Sequence, residues 1–368
     1  MKRPCMHLRR CAPWIIAAAV ASLAACDLLD RGPTPEQVRA EIVKRIPNGV
    51  ADRAGWARDI QAAFAAQELQ PTTAHLCAVI AVVGQESGFQ ADPPVPNLPA
   101  IARKAIGERA ARLHVPGFVV DAALAMRAPD GRTYSERLDA LRTEQQLSAL
   151  FEEMTARLPL GSGRLFARLN PVHTAGPMQV GIAFAQSHAR GYPYPLQGSS
   201  IRHEVFSRRG GLYFGTKHLL GYKVAYPELL YRFADYNAGW YASRNAAFQH
   251  AVSVASGKTL ARDGDLLRPG AAMDAPGATE AALRTLGPAL GMDDAALHRA
   301  LGRGESPSFD ESALYRQVFA LADRKAGKPL PRALLPEIDL HSPKITRPLS
   351  TAWFAQRVDA RWKQCMAR

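Results

Sequence analysis

Eight consecutive apolar residues, Leu76 to Val83, run straight into Gly84-Gln85-Glu86-Ser87-Gly88-Phe89. A segment apolar on every side has to be enclosed whether it is a helix or a strand, because neither period leaves a polar face. Pro71 and the Thr72-Thr73 pair supply a helix start, and strand-like runs are scarce elsewhere. The segment therefore predicts a buried central helix in a mainly α fold, with Glu86 at its end. A carboxyl there is partly desolvated, which disfavours its charged form and raises its pKa, as a general acid near neutral pH requires. Taken alone, Glu-Ser-Gly equally suits an ordinary solvated glutamate at a helix end.

Helical signals dominate the remainder. Thr34-Pro35-Glu36-Gln37 reads as a capped start, Val38, Ile42 and Ile46 follow at helical spacing, and Pro47-Asn48-Gly49 stops the helix. Trp56, Ile60 and Phe64 mark one face of a second helix. Residues 97–168 read mostly helical, most clearly from Tyr134 to Arg157, with a turn at Ala128-Pro129-Asp130-Gly131. Glu204 to Phe248 is again helical. Beyond Gly257 come shorter helices, Thr279 to Leu286 and Ser308 to Arg324. A proline-marked stretch from Pro329 to Pro348 follows, then a last helix from Thr351 to Lys363. There is no internal repeat or low-complexity tract.

The N-terminus is of another kind. Lys2, Arg3, Arg9 and Arg10 precede an apolar stretch from Trp14 to Ala25, which is shorter than the roughly 20 residues of a membrane-spanning helix. It ends in Leu23-Ala24-Ala25-Cys26, which resembles the bacterial lipobox. That resemblance implies a signal peptide over residues 1–25, lipid on Cys26 and a tether over 26–33. The chain is then expected in the cell envelope, held to a membrane through Cys26 and facing the periplasm. Asp27 resembles an inner-membrane retention signal, but which membrane holds the lipid stays open. Cleavage removes four cations and lowers the formal charge from +13 to +9. For an exported chain the anions at hand are headgroups, lipopolysaccharide phosphates and peptidoglycan carboxylates, so no nucleic acid is expected as a partner. Of the five cysteines, Cys77 and Cys365 remain after Cys5, Cys11 and Cys26 are assigned to the leader and the lipid. Two thiols in an oxidising compartment suggest a disulfide, with a buried free Cys77 and an exposed Cys365 as the alternative.

Two further segments stand in order after the first: Thr174-Ala175-Gly176-Pro177-Met178-Gln179-Val180 and Phe233-Ala234-Asp235-Tyr236-Asn237-Ala238-Gly239. Together the three resemble the soluble-lytic-transglycosylase family, whose domains carry Glu-Ser, Gly-Leu-Met-Gln and Ala-Tyr-Asn-Ala-Gly. Gly211-Leu212, Gly215 and His218-Leu219 resemble its Asn-Ile, Gly and Tyr-Leu pattern. The resemblance covers residues 70–95 and 168–245. It implies a lysozyme-like helical domain over 34–250 with a helical insertion at about 97–168, and a C-terminal helical extension over 251–368. It implies Glu86 as the catalytic residue and Ser87 as its support. Met178 and Gln179 become part of a sugar-binding groove, and Tyr236 and Asn237 a wall that positions Glu86 and substrate.

Three residues depart from the pattern: Pro177 replaces Leu, Asp235 a small apolar residue, and Gly211 Asn. The family chemistry is cleavage of peptidoglycan glycan strands between N-acetylmuramic acid and N-acetylglucosamine with a 1,6-anhydro product. It needs one carboxylate, no metal and no cofactor; Asp92 and Asp235 are the candidates should a hydrolase use a second. The competing expectation is a non-catalytic envelope lipoprotein that keeps the fold to grip glycan or a partner, a reading that Pro177 and the insertion favour.

Overall fold

The computed structural model describes residues 32–157, 170–196, 199–267, 270, 272–340 and 348–368. The expected leader, Cys26 and the end of the expected insertion lie outside them. Three helices open the fold: α1 (Pro35–Arg45), α2 (Arg53–Ala66) and α3 (Thr73–Glu86). The start of α1 is a full capping box, with the Thr34 hydroxyl accepting from the Gln37 amide and the Gln37 side chain accepting from the Thr34 amide at 2.8 Å. The apolar run is helical, opened by the Thr72 hydroxyl accepting from the His75 amide, and all of Leu76 to Val83 is buried.

The inserted region supplies α4 (Leu98–Arg112), α5 (Gly117–Ala125), α6 (Tyr134–Asp139) and α7 (Glu144–Arg157). The helical stretch from Tyr134 to Arg157 is thus two helices. Thr143 and Gln146 form a second capping pair, in which the Thr143 hydroxyl accepts from the Gln146 amide while the Gln146 side chain accepts from the amides of Arg142 and Thr143. That start signal, Thr-x-x-Gln, lies inside the periodic stretch and overrides it.

Next come a two-residue hairpin, β1 (Thr174–Ala175) and β2 (Val180–Gly181), and α8 (Ile182–Ser187), α9 (Ile201–Phe206), α10 (Arg208–Leu220), α11 (Leu229–Ala238) and α12 (Ala242–Ser256). The C-terminal part contains α13 (Ala278–Arg284), α14 (Gly287–Leu290), α15 (Asp294–Leu301), α16 (Ala313–Ala326) and α17 (Thr351–Met366). The hairpin is the only sheet among the described residues. The fold is mainly helical.

Three apolar clusters organise these elements. In the first, α3 is wrapped by Ile42 of α1, Trp56, Ile60 and Phe64 of α2, Phe233 and Tyr236 of α11, and Phe354 and Val358 of α17. In the second, α4 to α7 pack on Val172, the hairpin residues Ala175 and Val180, and Phe206, Tyr213 and Phe214. In the third, α12 packs with α13 to α16. The C-terminal part is therefore not one appendage after residue 250: α12 to α16 build their own core, whereas α17 returns to the first. Cys77 of α3 and Cys365 of α17 are joined in a disulfide, with Cα atoms 5.6 Å apart across 288 residues of sequence. Trp362 Nε1 donates to the Ala74 carbonyl at 3.0 Å, and Arg45 Nη1 donates to the carbonyls of Cys365 and Met366. No helix of the described residues is long and apolar enough to cross a membrane.

Candidate active site

Glu86 closes α3, and the residues after it fix where the helix stops. The Ser87 amide and hydroxyl both donate to the Val83 carbonyl, at 3.1 and 3.2 Å. Gly88 and Phe89 then take left-handed backbone angles, φ 59° and 65°. This turn folds Phe89 back onto Trp56, ring centroids 5.3 Å apart and edge to face. Ser87 thus ends the helix directly after Glu86.

The second motif is the hairpin turn. Gly176 sits at φ 74° and Gln179 at 50°, the Gln179 amide donates to the Gly176 carbonyl at 3.0 Å, and Thr174 Oγ1 donates to Gln179 Oε1 at 3.1 Å. The turn lies on α10 at two glycines one helical turn apart. A Cβ on Gly211 would stand 2.4 Å from Pro177 Cδ, and one on Gly215 would stand 2.4 Å from Met178 Sδ. Two departures from the family pattern are therefore one feature: the proline ring occupies the space that a side chain at 211 would fill. Met178 is fully buried. It offers a groove no side-chain surface, and it acts as the packing wedge between the turn and α10; Gln179, half-buried, keeps the turn closed.

The third motif joins the other two. Tyr236, on α11, donates its hydroxyl to the Met178 carbonyl at 2.6 Å. Burial pushes this phenol well above its ordinary pKa, and the charge of Glu86 pushes it further. Tyr236 is thereby bonded to residue 178 and feels the charge of Glu86. Asn237 is exposed, and its side-chain oxygen accepts from Thr351 Oγ1 at 2.8 Å, which ties it to the start of α17.

Asp235, considered above as a hydrolase's second carboxylate, is fully buried. Its carboxylate accepts from the Tyr222 hydroxyl at 2.9 Å, from the Tyr226 hydroxyl and from the Ser243 amide at 2.7 Å. Desolvation nonetheless raises its pKa. It cannot reach a substrate; it fixes the turn from α11 into α12. Asp92 is half-buried on the bend after Phe89.

Beside Tyr236 opens a cavity of about 330 Å³ lined by Phe184, His188, His218, Gly239, Trp240 and Asp265, among others. Phe184 stacks between the rings of His188 and His218, centroids 4.1 and 4.5 Å away, and Trp240 meets Phe184 edge to face at 5.3 Å. Trp240 Nε1 donates to the His218 carbonyl at 2.7 Å. Burial, with His188 adding to it, holds the His218 imidazole down at about 4, so it is neutral at physiological pH. Phe184, His188 and Trp240 carry no motif; only the fold assembles them. Among the described residues no group of three or more His, Cys, Asp or Glu side chains is placed to hold a metal.

The chain belongs to the family described as "Protein of unknown function (DUF1615)", whose profile matches residues 49–368. It is 53% identical over 353 residues to the Escherichia coli (strain K12) protein named "Uncharacterized protein YaiW", covering 95% of this chain and 96% of that one. No solved structure matches the chain.

Proposed function

We propose that this protein is a lipid-anchored envelope enzyme that cleaves peptidoglycan glycan strands as a lytic transglycosylase, through a lysozyme-like core in which Glu86 is both acid and base. The supporting observation is the convergence on Tyr236, whose hydroxyl holds the Met178 carbonyl while its ring stands within the electrostatic reach of Glu86. Three segments spread over 150 residues of sequence meet in the core that encloses α3, beside one half-buried carboxylate.

In this reading Glu86 protonates the glycosidic oxygen, and the neighbouring acetamido group stabilises the developing oxocarbenium ion. Glu86 then takes the proton of the muramyl 6-hydroxyl as that oxygen closes the anhydro ring. The burial of Asp235 removes one of the two candidates for a hydrolase's second acid and leaves Asp92. The His188–Phe184–His218–Trp240 wall offers flat faces to a sugar ring. The competing binder reading drew on Pro177, and the fit of Pro177 against Gly211 weakens it. Membrane attachment at Cys26 and a periplasm-facing location complete the proposal.

A digest of purified peptidoglycan tests it. Anhydromuropeptides are expected from the wild type and none from Glu86→Gln. Intact glycan with measurable binding would sink the enzymatic reading, and products with reducing ends would replace it with a hydrolase.

A further inference from the structure

A second cavity, of about 360 Å³, lies at the opposite end of α11, between residues 224–244 and the C-terminal part of the chain. Tyr226 and Tyr231 face it from the start of α11, Tyr241 and Arg244 from α12, and Asp310, Tyr315 and Arg332 from the C-terminal part. The aromatic rings are held firmly. Tyr226 meets Tyr231 edge to face at 5.7 Å, Tyr315 lies 4.6 Å from Phe319, and Arg244 sits over Tyr241 at 4.2 Å.

Arg244 is almost wholly buried, with Nη1 donating to the Ser306 carbonyl at 3.0 Å. Its ionic partner Asp310 stands 3.9 Å away, beyond hydrogen-bond reach. Arg332, at the rim, is already paired with Asp323 at 2.8 Å. Among the described residues the Asp310 carboxylate accepts no hydrogen bond, and the hydroxyls of Tyr231, Tyr241 and Tyr315 make none. None of these groups is a buried orphan, so they reach solvent, and packed rings beside polar groups open to a ligand are what a binding site needs.

The polar groups select the ligand class. Arg244 is offset by Asp310, Arg332 is taken up by Asp323 and Glu228 is exposed, which leaves no guanidinium free to hold a simple anion. Three phenol hydroxyls and one carboxylate call for a partner that both donates and accepts. The ring faces call for an apolar, roughly flat surface. We infer that this cavity binds a pyranose unit of a glycan, with hydroxyls to Asp310 and the tyrosines and its C–H face on a tyrosine ring. The choice of a glycan over other neutral polyols rests on the proposed function at Glu86. Such a site would hold the strand away from the scissile bond, where binding strengthens retention without chemistry.

Titration of the purified, folded protein with N-acetylchitotriose, followed by ligand-observed NMR, tests the inference without requiring turnover. Binding is expected in wild type and in Glu86→Gln. Tyr231→Ala and Asp310→Ala should each weaken it by about tenfold, the loss expected for one buried polar or ring contact. Asp310→Asn separates a fold defect from a lost contact: it keeps an acceptor and should retain most of the binding. Absence of binding at millimolar sugar would overturn the inference, as would binding lost in Glu86→Gln but unchanged in both cavity variants. Failure to form anhydromuropeptides with this binding intact would count only against the Glu86 reading.

Discussion

Two regions flank the elements that hold the three motifs, helices α4 to α7 and the C-terminal helix α17, and they engage the Glu86 helix differently. The inserted helices α4 to α7 close a core of their own against the back of the hairpin. Among the described residues they meet the motifs through Ala175, Val180 and their neighbours. The C-terminal helix α17 instead lies along α3 and α11, is bonded to α3 by the disulfide, and reaches both Gln85 and Asn237. Arrival late in the sequence therefore does not mean a peripheral place in the structure. Helices α4 to α7 form a buttress, and α17 is part of the frame around the end of α3.

The largest expected effect separates these roles directly. Phe151 of α7 and Phe354 of α17 are both buried, at 2% and 5% exposure, and truncating either to alanine should cost about 3–5 kcal/mol. Matched losses in chemical denaturation are expected. Glycan cleavage measured well below both melting points should fall in Phe354→Ala and persist in Phe151→Ala; equal loss of cleavage in both would erase the distinction.

Opening the disulfide is the next test. Cys77 and Cys365 close nearly the whole described chain into one loop, and removing such a crosslink costs about 2–4 kcal/mol. Melting with and without reductant should show a clear downward shift, matched by Cys77→Ser with Cys365→Ser. A shift within error would mean that packing of Phe354, Ala355 and Val358 alone holds α17 in place.

A smaller effect lies at the seam between the two cores, where His218 touches Phe184 on one side and Tyr236 on the other. Its folded pKa is held at about 4, below the 6.5 of an unperturbed histidine, so the unfolded chain binds the proton more readily. Stability from this group is complete above about 6.5 and is lost as pH falls toward 4. The loss is up to about 3 kcal/mol, from the size of the depression. Denaturation from pH 7 to 4 should lose this component in His218→Phe, which keeps the ring stacking. An unchanged slope would place the titration elsewhere.

Much of this arrangement is legible along the chain, and the illegible part has identifiable causes. The apolar run had to be interior, and the Thr34 and Thr72 caps fix helix starts that the structure keeps. The division at Thr143 was also written in the sequence, as Thr-x-x-Gln, but the periodicity on both sides masked it. Asp235 reads as a polar intruder in a family motif because its partners, Tyr222, Tyr226 and Ser243, are known only once α11 turns into α12. Met178 matches the family's groove residue by name, and only its contact with Gly215 shows it to be packed away. Likewise the Phe184–His188–Trp240 wall and the grip of α17 on α3 join distant segments, for which local pattern carries no signal. The proposed chemistry at Glu86 was read from motif order, and the gathering of those motifs at Tyr236 now gives it a physical argument.

The finest test of the comparison is Arg361. Its Nε donates to Gln85 Oε1 at 3.0 Å, one residue before Glu86, and its aliphatic stem passes Gly84. A partly exposed bond of this kind contributes about 1 kcal/mol or less, so Arg361→Ala should barely move the denaturation midpoint. If α17 serves only to stabilise, cleavage should be equally unaffected. If it positions the end of α3, kcat should fall several-fold with KM unchanged, because a misdirected carboxyl weakens the transition state and leaves ground-state binding alone. Arg361→Lys, which restores the stem but not the Nε geometry, should recover packing without recovering the rate. A variant with wild-type kcat would reduce α17 to a second buttress, no different in kind from the inserted helices.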